Sequence, residues 1–246
     1  MRLEKLFSIQ NKIVIITGSG NGIGLELAKG FILNGAHVIG ISRSKPKEKV
    51  NFALFFECDL NDEEKIELVI KKIKKKYTHI NCLLNVAGIS ISKFEIENEI
   101  SRFDKTFNTN VRSMYNIINK LQPLLIKGSS IINFSSIGGQ LGFPDNPSYC
   151  ASKGAVISLS RALSNDLGSK NIRVNCIIPG YFHTKMTNSS YTNQKQKKIR
   201  EHRTMLGRWG EVQELLGASI YFASDASSYV TGTELIVDGG WSSKGL

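Results

Sequence analysis

The stretch "KIVIITGSGNGIG", Lys12 to Gly24, decides the fold. Its first half is an unbroken β-branched run, the pattern of a strand buried on both faces. Its second half is a glycine-rich turn, and from Ile23 to Leu33 apolar residues recur at helical spacing. Strand, glycine turn and helix in that order mark the place where a doubly wound α/β sheet binds a dinucleotide. Glycine lets the backbone turn sharply and approach a pyrophosphate, and the helix N-terminus supplies N–H groups and positive dipole. The spacing G-x-G-x-x-G fails, because counting from Gly18 and Gly20 its third glycine falls on Ile23. The spacing T-G-x-x-x-G-x-G fits, on Thr17, Gly18, Gly22 and Gly24.

Working outward, "AHVIGIS", "ALFFECD", "INCLLNVAG", "SSIINFSS", "IRVNCIIPG" and "ELIVDGG" read as further strands. Helical patterns lie between most of them: the lysine-rich segment after Asp62, Phe103 to Leu121, the segment opened by Pro147, and Val212 to Phe222. This alternation predicts an α/β fold, a Rossmann-type parallel sheet with helices on both faces. The whole chain, 1–246, reads as one dinucleotide-binding and catalytic domain. Between the second and third strands, "RSKPKEKVNF" is too short for a full helix. Between Pro179 and Gly210 a long polar insert suggests a substrate lid at about 181–209, since long connections in compact domains usually serve binding.

The 246 residues suffice for a substantial core, and 41% hydrophobic and 22% charged residues are ordinary for a soluble globular chain. Neither a signal peptide nor a membrane-spanning run is apparent, and the expected location is cytoplasmic. Cys58, Cys82, Cys150 and Cys176 lack metal-ligand spacing, which fits reduced thiols and predicts no metal. The net charge of +11 raises a nucleic-acid hypothesis. Much of the excess sits in "NDEEKIELVIKKIKKKY", where Ile66, Val69, Ile70, Ile73 and Tyr77 form one apolar stripe. Acids in its first turn and lysines in its last suit a helix dipole, so a solvated helix face is the preferred reading. No aromatic-basic stripe accompanies the charge, and no nucleic-acid or membrane partner is expected.

"PSYCASKGA", Pro147 to Ala155, sets Tyr149 and Lys153 four residues apart. On a helix that step is about 6 Å along the axis and returns to one face. Pro147 suits a first turn, with Ser148 as a side-chain cap. A phenol titrates near about 10, and a neighbouring ammonium favours the phenolate and lowers that value. From the pair alone, a half-buried tyrosine beside a solvated lysine is the simpler reading.

The joint order of these motifs resembles the short-chain dehydrogenase/reductase family, in its single-domain branch, over nearly the whole chain. Thr17-Gly18, Gly22 and Gly24 match its cofactor loop, Asp59 in "CDL" its adenine-contacting aspartate, and "NVAG" (Asn85 to Gly88) its N-N-A-G, with Val86 as a departure. Asn110 in "NTNV", Ser136 in "NFSS", Tyr149 and Lys153 match the catalytic four, Ser136 standing thirteen residues before the tyrosine. Pro179-Gly180 and Thr184 match the nicotinamide-contacting segment. The resemblance implies a cofactor site on Gly18, Ser19, Asn21, Gly22, Ile23, Ser42, Arg43, Asp59, Leu60, Asn85, Ala87, Gly88, Tyr149, Lys153, Pro179, Gly180, Phe182 and Thr184. It implies that Tyr149 exchanges a proton with a ketone or alcohol oxygen as hydride moves to or from a nicotinamide. Lys153 would hold the ribose and keep Tyr149 acidic, Ser136 would bond the carbonyl oxygen, and Asn110 would hold a water linking Lys153 to solvent.

An acid at the end of the second strand would bind a ribose 2′-OH and repel a 2′-phosphate. That position is Ser42, followed by Arg43, with Lys45 and Lys47 nearby, so NADP(H) is favoured, with NAD(H) as second choice. The insert carries Lys185, Lys195, Lys197, Lys198, Arg200, His202 and Arg203. A basic lid for an anionic small-molecule substrate and a solvated helix face stand side by side as readings. The tail from Arg208 to Trp241 resembles both gluconate-type sugar dehydrogenases and 3-oxoacyl-carrier-protein reductases. The rival classes are a catalytically silent dinucleotide-binding regulator and a nucleic-acid binder, both disfavoured. The helix from Tyr149 to Leu167 has a small-residue surface (Ala151, Gly154, Ala155, Leu159, Ala162). In resembling enzymes it pairs across a two-fold axis, which predicts a homotetramer, or next a dimer, with Trp241 and Leu246 shielded by a partner.

Overall fold

The β-branched runs all become strands, and they lie side by side at the centre of the molecule. In the computed structural model, which describes residues 2–92 and 94–245, the chain opens with α1 (Leu3–Leu6), β1 (Ile13–Thr17), α2 (Gly22–Leu33), β2 (His37–Ser42) and β3 (Leu54–Glu57). It continues through α3 (Glu63–Lys76), β4 (Ile80–Asn85), α4 (Glu99–Phe107), α5 (Ser113–Leu121), β5 (Leu125–Phe134) and α6 (Pro147–Gly168). The last third holds β6 (Arg173–Pro179), α7 (Asn188–Thr192), α8 (Gln194–Arg203), α9 (Glu214–Ala223) and β7 (Glu234–Val237). The described strands form one sheet in the order β3-β2-β1-β4-β5-β6-β7, with every pairing parallel. The chain moves outward from β1 to β3, then returns to the other side of β1 with β4. That reversal opens a crevice beyond the carboxyl ends of β1 and β4, where such sheets bind ligands.

Alternation along the strands divides the core into two layers. Ile15, Ile39, Leu83 and Ile131 face one way, onto the stripe Ile66, Val69, Ile70 and Ile73 of α3 and onto α5 and α6. Val14, Ile16, Val38, Leu84 and Ile132 face the other, onto Leu27 and Phe31 of α2 and Leu215 and Phe222 of α9. The lysine-rich segment is a helix with its apolar stripe buried, its lysines exposed, and Asp62 as N-cap accepting from the Lys65 N–H at 3.1 Å. Arg173, at the start of β6, is buried and donates to Phe222 O and Ser224 O, so a guanidinium closes the carboxyl end of α9.

Three differences from the sequence reading have local causes. The helix expected from Phe103 begins at Glu99, because Asn98 caps it by accepting from the Ser101 N–H at 2.9 Å. It is also broken by a wider π-helical turn, Asn108–Arg112, between α4 and α5. Ser148 does not cap α6. It lies inside the first turn with its hydroxyl buried and unpartnered among the described residues, while Asn146 holds the N-cap position. The insert after β6 folds into a short 3-10 turn (Lys185–Thr187), α7 and α8. Its two ends meet, with Gly210 N–H donating to Tyr181 O at 3.0 Å.

The outward face of α6 does present Ala151 and Ala162 to solvent. Trp241 is not part of an exposed surface awaiting a partner: it is 9% exposed within this chain, packed edge-on against Phe143 and Tyr181. Leu246 lies outside the described residues.

Gly24 and Gly217 make a matched test of the loop. A Cβ on Gly24 would sit 2.4 Å from the Gly18 carbonyl oxygen, whereas one on Gly217, in the middle of α9, meets nothing within 4 Å. Gly24→Ala is expected to destabilise by about 1–3 kcal/mol through forced backbone displacement. Gly217→Ala is expected to stabilise by about 0.4–1 kcal/mol through the unfolded chain. Urea unfolding of both variants checks the opposite signs.

Candidate active site

The crevice is closed at its base by the backbone itself. Thr17 Oγ1 accepts from the N–H groups of Val86 and Ala87 at 3.1 and 3.2 Å, tying the end of β1 to the segment after β4. Gly18 has φ +71°, and a Cβ there would lie 2.9 Å from Ala87 N and Cα. Only glycine satisfies both the conformation and the contact. Gly22 also has positive φ, +54°. Gly20, passed over by the spacing argument, is equally constrained, since its Cβ would lie 2.1 Å from Ser44 O and 2.7 Å from Ser42 Oγ.

Above this base runs a cavity of about 250 Å³. It brings together most of the expected cofactor residues: Gly18, Asn21, Gly22, Ile23, Ser42, Arg43, Asp59, Leu60, Ala87, Gly88, Tyr149, Lys153, Pro179, Gly180, Phe182 and Thr184, with Ser136 beside them. Two stand apart. Ser19 is buried beneath the loop against β2, close to Gly40. Asn85 points into the sheet and donates to Asn133 Oδ1 at 2.9 Å, and Asn133 in turn donates to Ser160 of α6. Both therefore shape the cleft from outside it. Sequence reasoning missed Ile89, Thr109 and Met186, which also line it, and named Lys185, another lining residue, only among the basic residues of the insert. Lys185 and Met186 belong to the insert, and no motif marks which insert residues turn inward. Lys45 and Lys47 are exposed and do not line the cleft.

The cleft suits a dinucleotide on its own geometry. Asn21 makes no side-chain cap, so the first-turn N–H groups of α2 remain unclaimed where that helix borders the cleft. At one end Ser42 closes β2 and Arg43 follows it, with no carboxylate at that position. At the other stand Ser136, Tyr149 and Lys153.

A family model described as "Enoyl-(Acyl carrier protein) reductase" matches residues 18–242. The chain belongs to the short-chain dehydrogenase/reductase family. It is similar to the 3-oxoacyl-[acyl-carrier-protein] reductase FabG of Chlamydia trachomatis serovar D, 37% identical, covering 94% of this chain and 97% of that protein. It is similar to the 2-dehydro-3-deoxy-D-gluconate 5-dehydrogenase of Dickeya dadantii, 33% identical, covering 96% and 97%. Among solved structures it matches a gluconate 5-dehydrogenase from Burkholderia cenocepacia in complex with NADP and tartrate. That match has a TM-score of 0.88 and 29% identity, and it covers 99% of this chain and 100% of that one. The protein is accordingly a dehydrogenase/reductase acting on CH–OH groups with a nicotinamide dinucleotide.

In this short-chain dehydrogenase/reductase, α6 is pinned to the end of β5 at the reacting residues. Ser135 Oγ donates to Lys153 O at 2.8 Å, and a Cβ on Gly139 would strike Lys153 C at 2.7 Å. Lys153 Nζ donates to Phe134 O at 2.9 Å and lies 5.9 Å from the Tyr149 ring centroid. Asn110 sits in the π-helical turn, not in a regular helix. Its Oδ1 accepts from Ile89 N–H at 2.8 Å, and its Nδ2 donates to Ile89 O and Ser152 Oγ. Ser152 then donates to Tyr149 O at 2.8 Å, a link that spacing alone did not reveal.

Burial dominates the electrostatics. It pushes the Tyr149 phenol above its ordinary value, against an opposing hydrogen bond with Ser136. The expected lowering by Lys153 is not found: burial dominates the phenol, the opposing influence comes from Ser136, and Lys153 Nζ donates to a backbone carbonyl instead. Burial also lowers Lys153 from 10.5 to about 8.

The depressed Lys153 value fixes a pH dependence. Below pH 8 folded and unfolded chains both carry the charge, and its burial cost is fully present. Between about 8 and 10.5 the unfolded chain keeps a proton that the folded chain has lost, so stability rises with pH. Urea unfolding of wild type and Lys153→Met should show the difference moving in favour of wild type between about pH 7 and about pH 10. A difference that stays constant with pH would contradict this.

Proposed function

We propose that the protein interconverts a secondary alcohol and a ketone on a sugar-acid or 3-oxoacyl substrate, with NADP(H) as its preferred dinucleotide. The observation that carries the reading is one cleft with half-buried Tyr149 beside buried Ser136 at one end and Ser42-Arg43 at the other. The two substrate classes are those of the curated relatives at 37% and 33% identity. The nicotinamide, when bound, supplies or accepts the hydride.

The rest of the chemistry belongs to this chain. Tyr149, protonated because burial disfavours its phenolate, donates its proton to the ketone oxygen in reduction and takes it back in oxidation. Ser136 holds that oxygen and stabilises the charge developing on it. Its own Oγ is oriented by accepting from the Gly138 N–H at 3.1 Å. Lys153, its Nζ 5.9 Å from the Tyr149 ring centroid, binds the ribose hydroxyls. Asn110, held on both sides by Ile89, positions a water for proton resupply to Lys153. A Cβ on Gly88 would approach Lys153 Nζ to 3.2 Å and Asn110 Oδ1 to 3.3 Å, so glycine leaves both groups clear.

At the adenosine end Arg43 is exposed, borders the cleft, and has no ion pair among the described residues. Its guanidinium suits a 2′-phosphate, and Ser42 in place of a carboxylate removes the repulsion that would exclude one.

Tyr149→Phe keeps the ring but cannot carry the proton. Turnover of a sugar acid or 3-oxoacyl ester is expected to fall by about 10²–10⁴-fold with cofactor binding largely kept. A variant retaining most of its kcat would sink the mechanism.

Arg43→Ala is expected to weaken NADPH binding by roughly 1.5–3 kcal/mol and to leave NADH binding nearly unchanged. Fluorescence titration with the two reduced nicotinamides measures this, and equal losses would remove the NADP(H) preference.

A further inference from the structure

The cations of the insert divide by what they face. Lys197 Nζ lies 4.4 Å from the Tyr191 ring centroid, Arg200 Cζ 4.8 Å from that of Tyr181, and Arg203 Cζ 4.4 Å from that of Trp241. Those three are occupied with rings. Lys195, Lys198 and His202 are exposed and do not line the cleft. Lys185 differs from all of them. It borders the cleft that holds Tyr149, it is solvent-exposed, and it makes no hydrogen bond or ion pair among the described residues.

Its place is set by a locked turn. Thr187 Oγ1 accepts from the Thr184 N–H at 3.0 Å and donates to Phe182 O at 2.6 Å. The Thr187 N–H donates to Thr184 O at 3.1 Å. Lys185 and Met186 are held along the cleft as the first two residues of this 3-10 turn. Opposite them stands the start of α2. A Cβ on Gly22, the first residue of that helix, would lie 3.9 Å from Thr184 Cβ and 4.0 Å from Thr184 Cγ2. The residue before Lys185 thus faces the glycine loop directly. The reacting end is marked by a different glycine, Gly88, whose Cβ would approach Lys153 Nζ and Asn110 Oδ1. Lys185 is therefore placed beside the N-terminus of α2.

Charge points the same way. Among the described residues the cations lining the cleft are Arg43, Lys153 and Lys185, and its one carboxylate is Asp59. Arg43 stands at the adenosine end and Lys153 beside Tyr149. A dinucleotide also carries two negative charges on the diphosphate joining its halves, and the amides of α2 offer that group dipoles but no full charge. Lys185 is the cation left over, and it is next to those amides. A lysine ammonium is a compact charge on a flexible stem, able to meet whichever diphosphate oxygen is presented.

We propose that Lys185 binds the diphosphate of the dinucleotide from the insert side of the cleft, opposite the N-terminus of α2. This rests on the oxidoreductase reading above for the presence of a nicotinamide dinucleotide, and it deepens that reading by tying the insert to the cofactor. The contact is made away from the 2′ position, so it acts on NADH and NADPH alike, unlike that of Arg43.

Lys185→Met keeps the stem without the charge, and Lys185→Arg keeps a charge. The full chain and both variants are titrated with NADH and with NADPH by nicotinamide fluorescence, and with ADP-ribose by displacement of NADPH. ADP-ribose retains the diphosphate but lacks both the nicotinamide ring and a 2′-phosphate. Lys185→Met is expected to raise all three dissociation constants roughly tenfold, the low end for a charge-assisted contact because the ammonium is exposed. Lys185→Arg should restore most of that loss. The gap between wild type and Lys185→Met should narrow as sodium chloride rises from about 0.02 M to about 0.5 M. Thermal unfolding of each variant reports that it is folded. A loss confined to NADPH would move the contact to the 2′-phosphate. Unchanged dissociation constants with a raised KM for a sugar acid or 3-oxoacyl ester would give the lysine to the substrate. Unchanged constants throughout, or a loss that Lys185→Arg leaves in full, would make it a solvated or merely structural residue. Each of these overturns the proposal while wild type still binds its nicotinamides and the oxidoreductase reading stands. A wild type that binds neither NADH nor NADPH would remove that reading and the proposal together.

Discussion

The crevice depends on a close contact between two backbones at the split in the sheet. Thr17 holds the amides of Val86 and Ala87 while Gly18 passes Ala87 at a distance no side chain would permit. A hydrogen-bonded clasp of this kind sets the separation of β1 and β4 beyond their last ladder bonds. The start of α2, the turn after β4 and the floor of the cleft all take their positions from it. Since the clasp uses backbone amides, a change in either flanking strand is felt at the cleft without any lining residue being altered.

The reacting end is organised around a different economy of charge. Lys153 is an ammonium inside the protein, and desolvation works against it; a backbone carbonyl and the end of β5 hold it in place. Tyr149 beside it is kept neutral by the same burial. Raising the phenol and lowering the ammonium widens the gap between their proton affinities, so Tyr149 keeps its proton until a substrate or cofactor changes the local potential. A protonated phenol beside a desolvated ammonium, not an activated phenolate, is what the packing delivers.

The strand pattern and the glycine spacing disclosed the sheet, its order of elements and the place of the cleft, because burial and turn geometry act on neighbouring residues. Asp59, Ser136, Tyr149 and Lys153 were legible only through the family resemblance, since the spacing of Tyr149 and Lys153 alone reads as a half-buried tyrosine beside a solvated lysine. Ser19 and Asn85 belong to the same motifs yet lie outside the cleft, since a motif records position along the chain and not which way a side chain turns. Which of the insert's basic residues turn inward was hidden because the insert lacks a strong apolar stripe: Lys185 lines the cleft, and stacking sets Lys197 and Arg200 of α8 against Tyr191 and Tyr181. Ser152 accepts a hydrogen bond from Asn110 across elements, which no local pattern encodes, whereas Ser148 lies inside the first turn of α6 with its hydroxyl unpartnered among the described residues.

The π-helical turn at Asn108–Arg112 has a consequence for how this chain tolerates change. Such a turn holds one residue more than a regular helical turn. Removing a residue there would restore a regular turn, but each residue along a helix carries the chain through about 100° of rotation. Asn110 would swing off Ile89 and Ser152, and Met114, Ile117 and Ile118 of α5 would lose their phase against the core. The segment therefore behaves as a frame: substitutions within it are local events, whereas any single-residue deletion or insertion is read simultaneously by the proton path and by the hydrophobic layer. Length, at this one place, is under the same constraint as chemistry.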